Sequence, residues 1–244
     1  KQGHQRLSGL THESDSGVGL RFDQTKNMSR AVLLAGGWAH PGHDLITTMR
    51  SLVERRGFDL AVETHAEQAV ETIAEGCDLL VVGSCWFAMT DERYSDEQRQ
   101  QHAVNFDGAL KQSFAQLIAD GCPLLALHTA VISFDGADPW AGWLGGSWNW
   151  TTSWHPEPGL VAVRPALGTP IDFDPFTVID ELYQGLDLHE SVRVVAESDA
   201  GDPLVWLQQS NGRAAVNLLG HDQRSLDAPG HRQLNEQLLD WLLA

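Results

Sequence analysis

The sequence predicts an α/β fold with a mostly parallel central sheet and helices on both faces. Three observations predict it. Apolar runs of strand length alternate with helical stripes from residue 31 to residue 130. The runs are continuously apolar, as in strands covered on both faces. Each strand–helix–strand step reads as a right-handed crossover between parallel neighbours.

The elements follow in order. "AVLLAGG" (31–37) is a strand ending in two glycines. "HDLITTMRSLVERRG" (43–57) places Leu45, Ile46, Met49, Leu52 and Val53 on one helical stripe closed by Gly57. "FDLAVETH" (58–65) reads as strand, "AEQAVETIAEG" (66–76) as helix and "CDLLVVGSC" (77–85) as a fully apolar strand. Residues 95–121 contain a long helix with Ala109, Phe114, Leu117 and Ile118 in its stripe. "CPLLALHTA" (122–130) is the next strand. After residue 135 the character changes: an irregular Trp/Gly-rich segment spans about 135–160. The runs 159–166, 192–199, 202–210 and 212–220 then read as strands with little helix between them. They suggest a mixed or antiparallel extension of the sheet. A closing helix, 228–244, turns Leu234, Leu238, Trp241 and Leu242 inward. The whole is a flavodoxin-like three-layer sandwich.

Residues 1–27 lack an apolar period and read as an N-terminal extension, leaving 28–244 as a single domain. The chain has 244 residues and a formal net charge of -17. That balance argues against nucleic acid and anionic membranes, which attract basic patches. No apolar run has the length of a membrane span, and "KQGHQRLSGL" lacks the apolar core of a signal peptide. The 3 cysteines fit reduced thiols in a cytoplasmic protein. Self-association into a homo-oligomer is compatible with the sequence.

In open parallel sheets, ligands lie beyond the carboxyl ends of the strands. Trp38, His40 and His43 follow the first strand. Ser84, Cys85 and Trp86 close the third. His128 ends "PLLAL", and His221 with Asp222 follows "AAVNLLG". Histidines at related strand ends suit acid/base or metal chemistry, because imidazole titrates near pH 6.5 and binds borderline metals. Five of the 9 tryptophans crowd into "PWAGWLGGSWNWTTSWHPEPG" (139–159), mixed with Gly, Ser, Thr and Asn, as in a pocket wall.

"LLAGGWAHPGHD", "GCPLLALHTA", "SWHPEPG", "IDELYQGL" and "GRAAVNLLGHD" occur in an order that resembles the ThuA-like (trehalose utilisation) family. That family is a branch of the class I glutamine amidotransferase-like fold. In the amidotransferase relatives, a nucleophilic Cys on a sharp strand–helix turn occupies the position resembling His128. A histidine that activates it stands at the position resembling His221, with a Glu two residues on. This chain has Gln223 there, so the resemblance argues against glutaminase activity. Cys122 precedes its strand and cannot substitute.

The resemblance also brings His155 and Glu181 to the site. It implies carbohydrate metabolism on trehalose-like glycosides, with a small-molecule carbohydrate as partner. The expected mechanism is elimination and hydration, or hydrolysis, of a sugar already oxidised at carbon 3 by a sugar 3-dehydrogenase. His128, His221 and Glu181 are the expected catalytic groups. Trp38, His43, Trp86, Trp148, Trp154 and Asp222 are the expected sugar contacts. His155, Glu181 and His221 are the expected ligands of Zn or Mn, and no nucleotide cofactor is expected. The alternative is a sugar-binding or regulatory module without chemistry on a degenerate amidotransferase fold.

Overall fold

The computed structural model describes residues 28–40 and 42–244, so the extension expected at 1–27 lies outside the described residues. The first half alternates as the sequence predicts: β1 (Ser29–Gly37), α1 (His43–Glu54), β2 (Phe58–Glu63), α2 (Ala66–Ala74), β3 (Leu79–Cys85), α3 (Asp96–His102), α4 (Gly108–Ala119) and β4 (Leu124–Leu127). Then come α5 (Trp140–Leu144), β5 (Gly146–Ser147), β6 (Gly159–Pro165), β7 (Phe176–Asp180), β8 (Asp187–Leu188), β9 (Arg193–Glu197), β10 (Pro203–Gln208) and β11 (Ala214–Asn217). Two helices close the chain, α6 (Gln223–Leu226) and α7 (Pro229–Leu243).

The large sheet has the order β2-β1-β3-β4-β11-β10-β9-β6-β7. From β2 to β11 the neighbours are parallel. From β11 to β7 they are antiparallel. The parallel set is therefore one half of the sheet, and the second half is the antiparallel extension. β1 shows why the strands are continuously apolar. Ala31, Leu33 and Ala35 join the core under α1 and α7, while Val32 and Leu34 join the core under α2 and α4.

The helix expected within 95–121 is α4, which carries Ala109, Phe114, Leu117 and Ile118, and a short α3 precedes it. Ser95 starts α3 with a capping box to Gln98, and the chain is extended again at Ala103. Phe106 then packs inward, stacked on Phe134 with ring centroids 4.4 Å apart, before α4 begins. Burying that ring separates the two helices.

The β6–β7 hairpin pairs with β9 only through Arg164 and Pro165. Its Val161, Val163 and Val178 sit in the same core as the α1 and α7 side chains. Packed there, the end of β7 meets the turn after β11: Gly220 N–H donates to Asp180 Oδ2 at 2.7 Å.

Candidate active site

Three strand ends and the hairpin converge on one group of side chains. β1 and β3 approach so closely at Gly37 that a Cβ there would strike the Cys85 carbonyl. Gly37 also has φ +108, which suits glycine. The next turn carries His40. His128 stands directly after β4 with φ 46, a left-handed conformation for a non-glycine residue. This is the sharp strand–helix turn of a nucleophile elbow, bearing an imidazole. β11 lies parallel beside β4, with Asn217 opposite Leu127, so the turn after it brings His221 to the same edge.

The ring nitrogens are oriented by the backbone. His128 Nδ1 lies 2.8 Å from Leu218 O, and His40 Nδ1 lies 3.1 Å from Trp38 O. A carbonyl only accepts, so each Nδ1 carries the proton and donates. Each Nε2 is therefore left to face inward. His221 Nδ1 is 3.3 Å from both of those Nε2 atoms. Glu181 Oε2 is 3.4 Å from His128 Nε2 and from His221 Nδ1. One donor atom from each of His40, His128, Glu181 and His221 lies within 4.8 Å of all the others. Glu181 Oε2 is buried and makes no hydrogen bond. A buried carboxylate oxygen without a donor, facing three imidazole nitrogens, fits a divalent cation. This group can hold a metal ion.

The electrostatics agree. Burial, with repulsion from His128, lowers His40 to about 4, so it is neutral at pH 7. Burial alone would lower His128, but the Glu181 and Asp180 carboxylates outweigh it and raise it. Burial alone would raise Glu181, but the nearby His128, His221 and His155 imidazoles pull it down. A proton and a cation therefore compete for the same His128 nitrogen.

A second layer holds these ligands. Asp180 accepts from Gly220 N–H, His221 N–H and the Ser225 hydroxyl, and from Glu181 N–H at 2.8 Å. Buried His231 donates from Nδ1 to Ser225 O at 2.9 Å and accepts at Nε2 from Asn217 Nδ2 at 2.9 Å. Tyr183 Oη lies 3.3 Å from His128 Nε2, and burial holds its phenol protonated well above the usual range.

The structure brings His128, His221 and Glu181 together and places the other expected residues differently. His155 is not in the four-residue group. Its Nδ1 approaches the other oxygen of Glu181, Oε1, at 3.6 Å, and its side chain is 37% exposed. His40 takes the place given to it among the ligands. His43 is exposed beside Asp44 at the start of α1, on the rim of the roughly 280 Å³ pocket over the group. Asp222 lines that pocket, but its carboxylate caps α6 and is held down by Arg224. Trp148 packs edge-on to Tyr183 and His155. Trp154 is 55% exposed. Trp38 packs edge-on against Tyr94 and His102. Trp86 is a correction: it is 2% exposed, packed against Phe134, and offers no open ring face. Sequence reasoning saw His40 at a strand end but gave it no role, and Asp180 and Tyr183 were passed over. "DELY" next to Glu181 was the available signal for both.

A family model described as trehalose utilisation, ThuA, matches residues 30–242. The chain belongs to the ThuA family. Among curated proteins none matches the sequence. Of solved structures, a ThuA-like protein from Parabacteroides merdae is similar at TM-score 0.66 and 14% identity, covering 88% of this chain and 90% of that one. A cytoplasmic protein from Salmonella typhimurium is similar at TM-score 0.62 and 13% identity, covering 87% and 99%. A glutamine amidotransferase from Thermotoga maritima is similar at TM-score 0.53 and 14% identity, covering 88% and 96%. These likenesses show the ThuA-like, class I glutamine amidotransferase-like fold. No helix among the described residues is long and apolar enough to cross a membrane.

Proposed function

We propose that this ThuA-family protein is an enzyme acting on trehalose-like glycosides oxidised at carbon 3, with a divalent cation, Zn or Mn, on His40, His128, Glu181 and His221. The observation that carries the metal reading is the donorless Glu181 Oε2 facing three inward nitrogens. The family supports the carbohydrate class. A bound cation would supply electrostatic stabilisation to the enolate of a 3-keto sugar.

The ligand assignment moves the acid/base work to other residues, because a metal-bound imidazole is not a free base. His155 is the imidazole beside the group that remains free: its Nδ1 donates to Pro156 O at 3.1 Å, which leaves Nε2 as the base, and its side chain is open to solvent on one side. In this reading His155 takes the C2 proton, the C1–O bond breaks, and the proton passes to the departing oxygen. Water then adds across the new C1–C2 double bond. Tyr183, protonated throughout, packs against the His128 ring and excludes water from that side. A dehydrogenation at carbon 3 must supply the substrate.

The test has two stages. Purified protein is titrated with Zn and Mn, and one equivalent should bind, with binding lost in His128→Ala and His221→Ala. Release of the C1 substituent is then assayed on 3-keto-trehalose. His155→Ala should retain the metal and lose turnover by about 100-fold or more. Failure to bind either cation would overturn the metal reading. Sugar binding without turnover would make the protein a binding module.

A further inference from the structure

A second cleft lies across the 36–40 turn from the His/Glu pocket. It has a volume of about 900 Å³, against about 280 Å³ for the pocket over the histidines. Gly36 and Gly37 of β1, Thr64 after β2 and Trp86 after β3 border it, so it sits at carboxyl strand ends on the α2 and α4 side of the sheet. The strand order reverses between β1 and β3: from β1 the chain steps outward to β2, then back across to β3. That reversal splays the connecting loops apart and opens a crevice.

The chemistry of its lining is specific. Gln68 on α2, Gln100 and Gln101 on α3, and Asn105 after it all border the cleft. None of these carboxamides makes a side-chain hydrogen bond in the structure among the described residues. Each offers both donors and an acceptor. Glu67, Glu71 and Asp107 add carboxylates, and among the described lining residues none is Lys or Arg. His65 and His102 also line it, but three carboxylates and no fixed cation disfavour phosphates and carboxylic acids. Val70, Val104, Ala109 and Leu110 give it an apolar floor. Amides around an apolar floor match a molecule with hydroxyls at its edge and C–H groups on its face.

We infer that this cleft is a second binding site, for a neutral polyhydroxylated molecule of sugar type, separate from the His/Glu group. The inference stands on this cleft and holds whether or not the histidines bind a metal.

The experiment uses the full chain with chelator present and trehalose as the probe, followed by calorimetry and ligand-observed NMR. Comparison proteins are His128→Ala/His221→Ala, Gln100→Ala/Asn105→Ala, and Gln68→Ala on a different helix. All three carboxamide positions in the last two variants are exposed, and melting curves check that those variants fold. Trehalose binding should survive in the histidine double variant. It should weaken roughly tenfold or more in the double carboxamide variant, and also weaken in Gln68→Ala. Metal uptake should be the same in the carboxamide variants as in the parent. Binding abolished only by the histidine changes would overturn the inference, as would no binding at all. Binding of spermidine in place of trehalose would also overturn it, because the carboxylates would then be the determinant.

Discussion

Asp180 carries more of the site than its place outside the donor group suggests. Its side chain is fully buried, and it ties together the backbone of Gly220, His221 and Glu181. Replacing one carboxylate oxygen by an amide would set a donor against N–H or O–H donors. Asp180→Asn should therefore destabilise the fold by about 2–3 kcal/mol and weaken cation binding, read by thermal melting and metal titration. Protons should compete with the cation at His128. Its pKa is raised by Glu181 and Asp180, so more of it is protonated at a given pH than for a free imidazole. Metal affinity should then fall as pH falls, by about tenfold per pH unit for one displaced proton. An affinity flat between pH 5 and 8, measured in a non-coordinating buffer, would contradict that coupling.

Among the elements, the 36–40 turn decides most. It separates the two clefts and carries both Trp38 and His40. Its geometry depends on Gly37, where φ is +108 and a Cβ would meet the Cys85 carbonyl. Gly37→Ala should cost about 1–3 kcal/mol in backbone strain and also displace His40. Chemical denaturation measures the first effect and metal titration the second. A variant of native stability with full metal affinity would show that the turn tolerates both. The β6–β7 hairpin is the other decisive element. It leaves the sheet after two residues of pairing and delivers Glu181 to histidines that arrive on β4 and β11.

At the scale of the molecule, the fold is shared with glutamine amidotransferases, but the elbow carries His128. Cys85, at the same edge, is buried and pushed up to about 12, so it is not a thiolate near neutral pH. Cys122 lies before β4 with its thiol raised by Cys77 and burial. No glutamine hydrolysis is expected. Ammonia release that disappears in Cys85→Ala or Cys122→Ala would reverse that expectation.

The alternation of apolar runs and helical stripes already determined the α/β class, the parallel half of the sheet and the strand-end positions of His128 and His221. Those features follow from local periodicity and from the rule that parallel strands are buried on both faces. Periodicity found α4 but not the short α3 before it, which the Ser95 capping box starts. It could not choose between His40 and His43, which both follow the first strand, and His155 entered only through the family resemblance. Only tertiary structure made that choice. A ligand set depends on where ring nitrogens point, and that was decided by Trp38 and Leu218 carbonyls and by a hairpin packed far from its sequence neighbours.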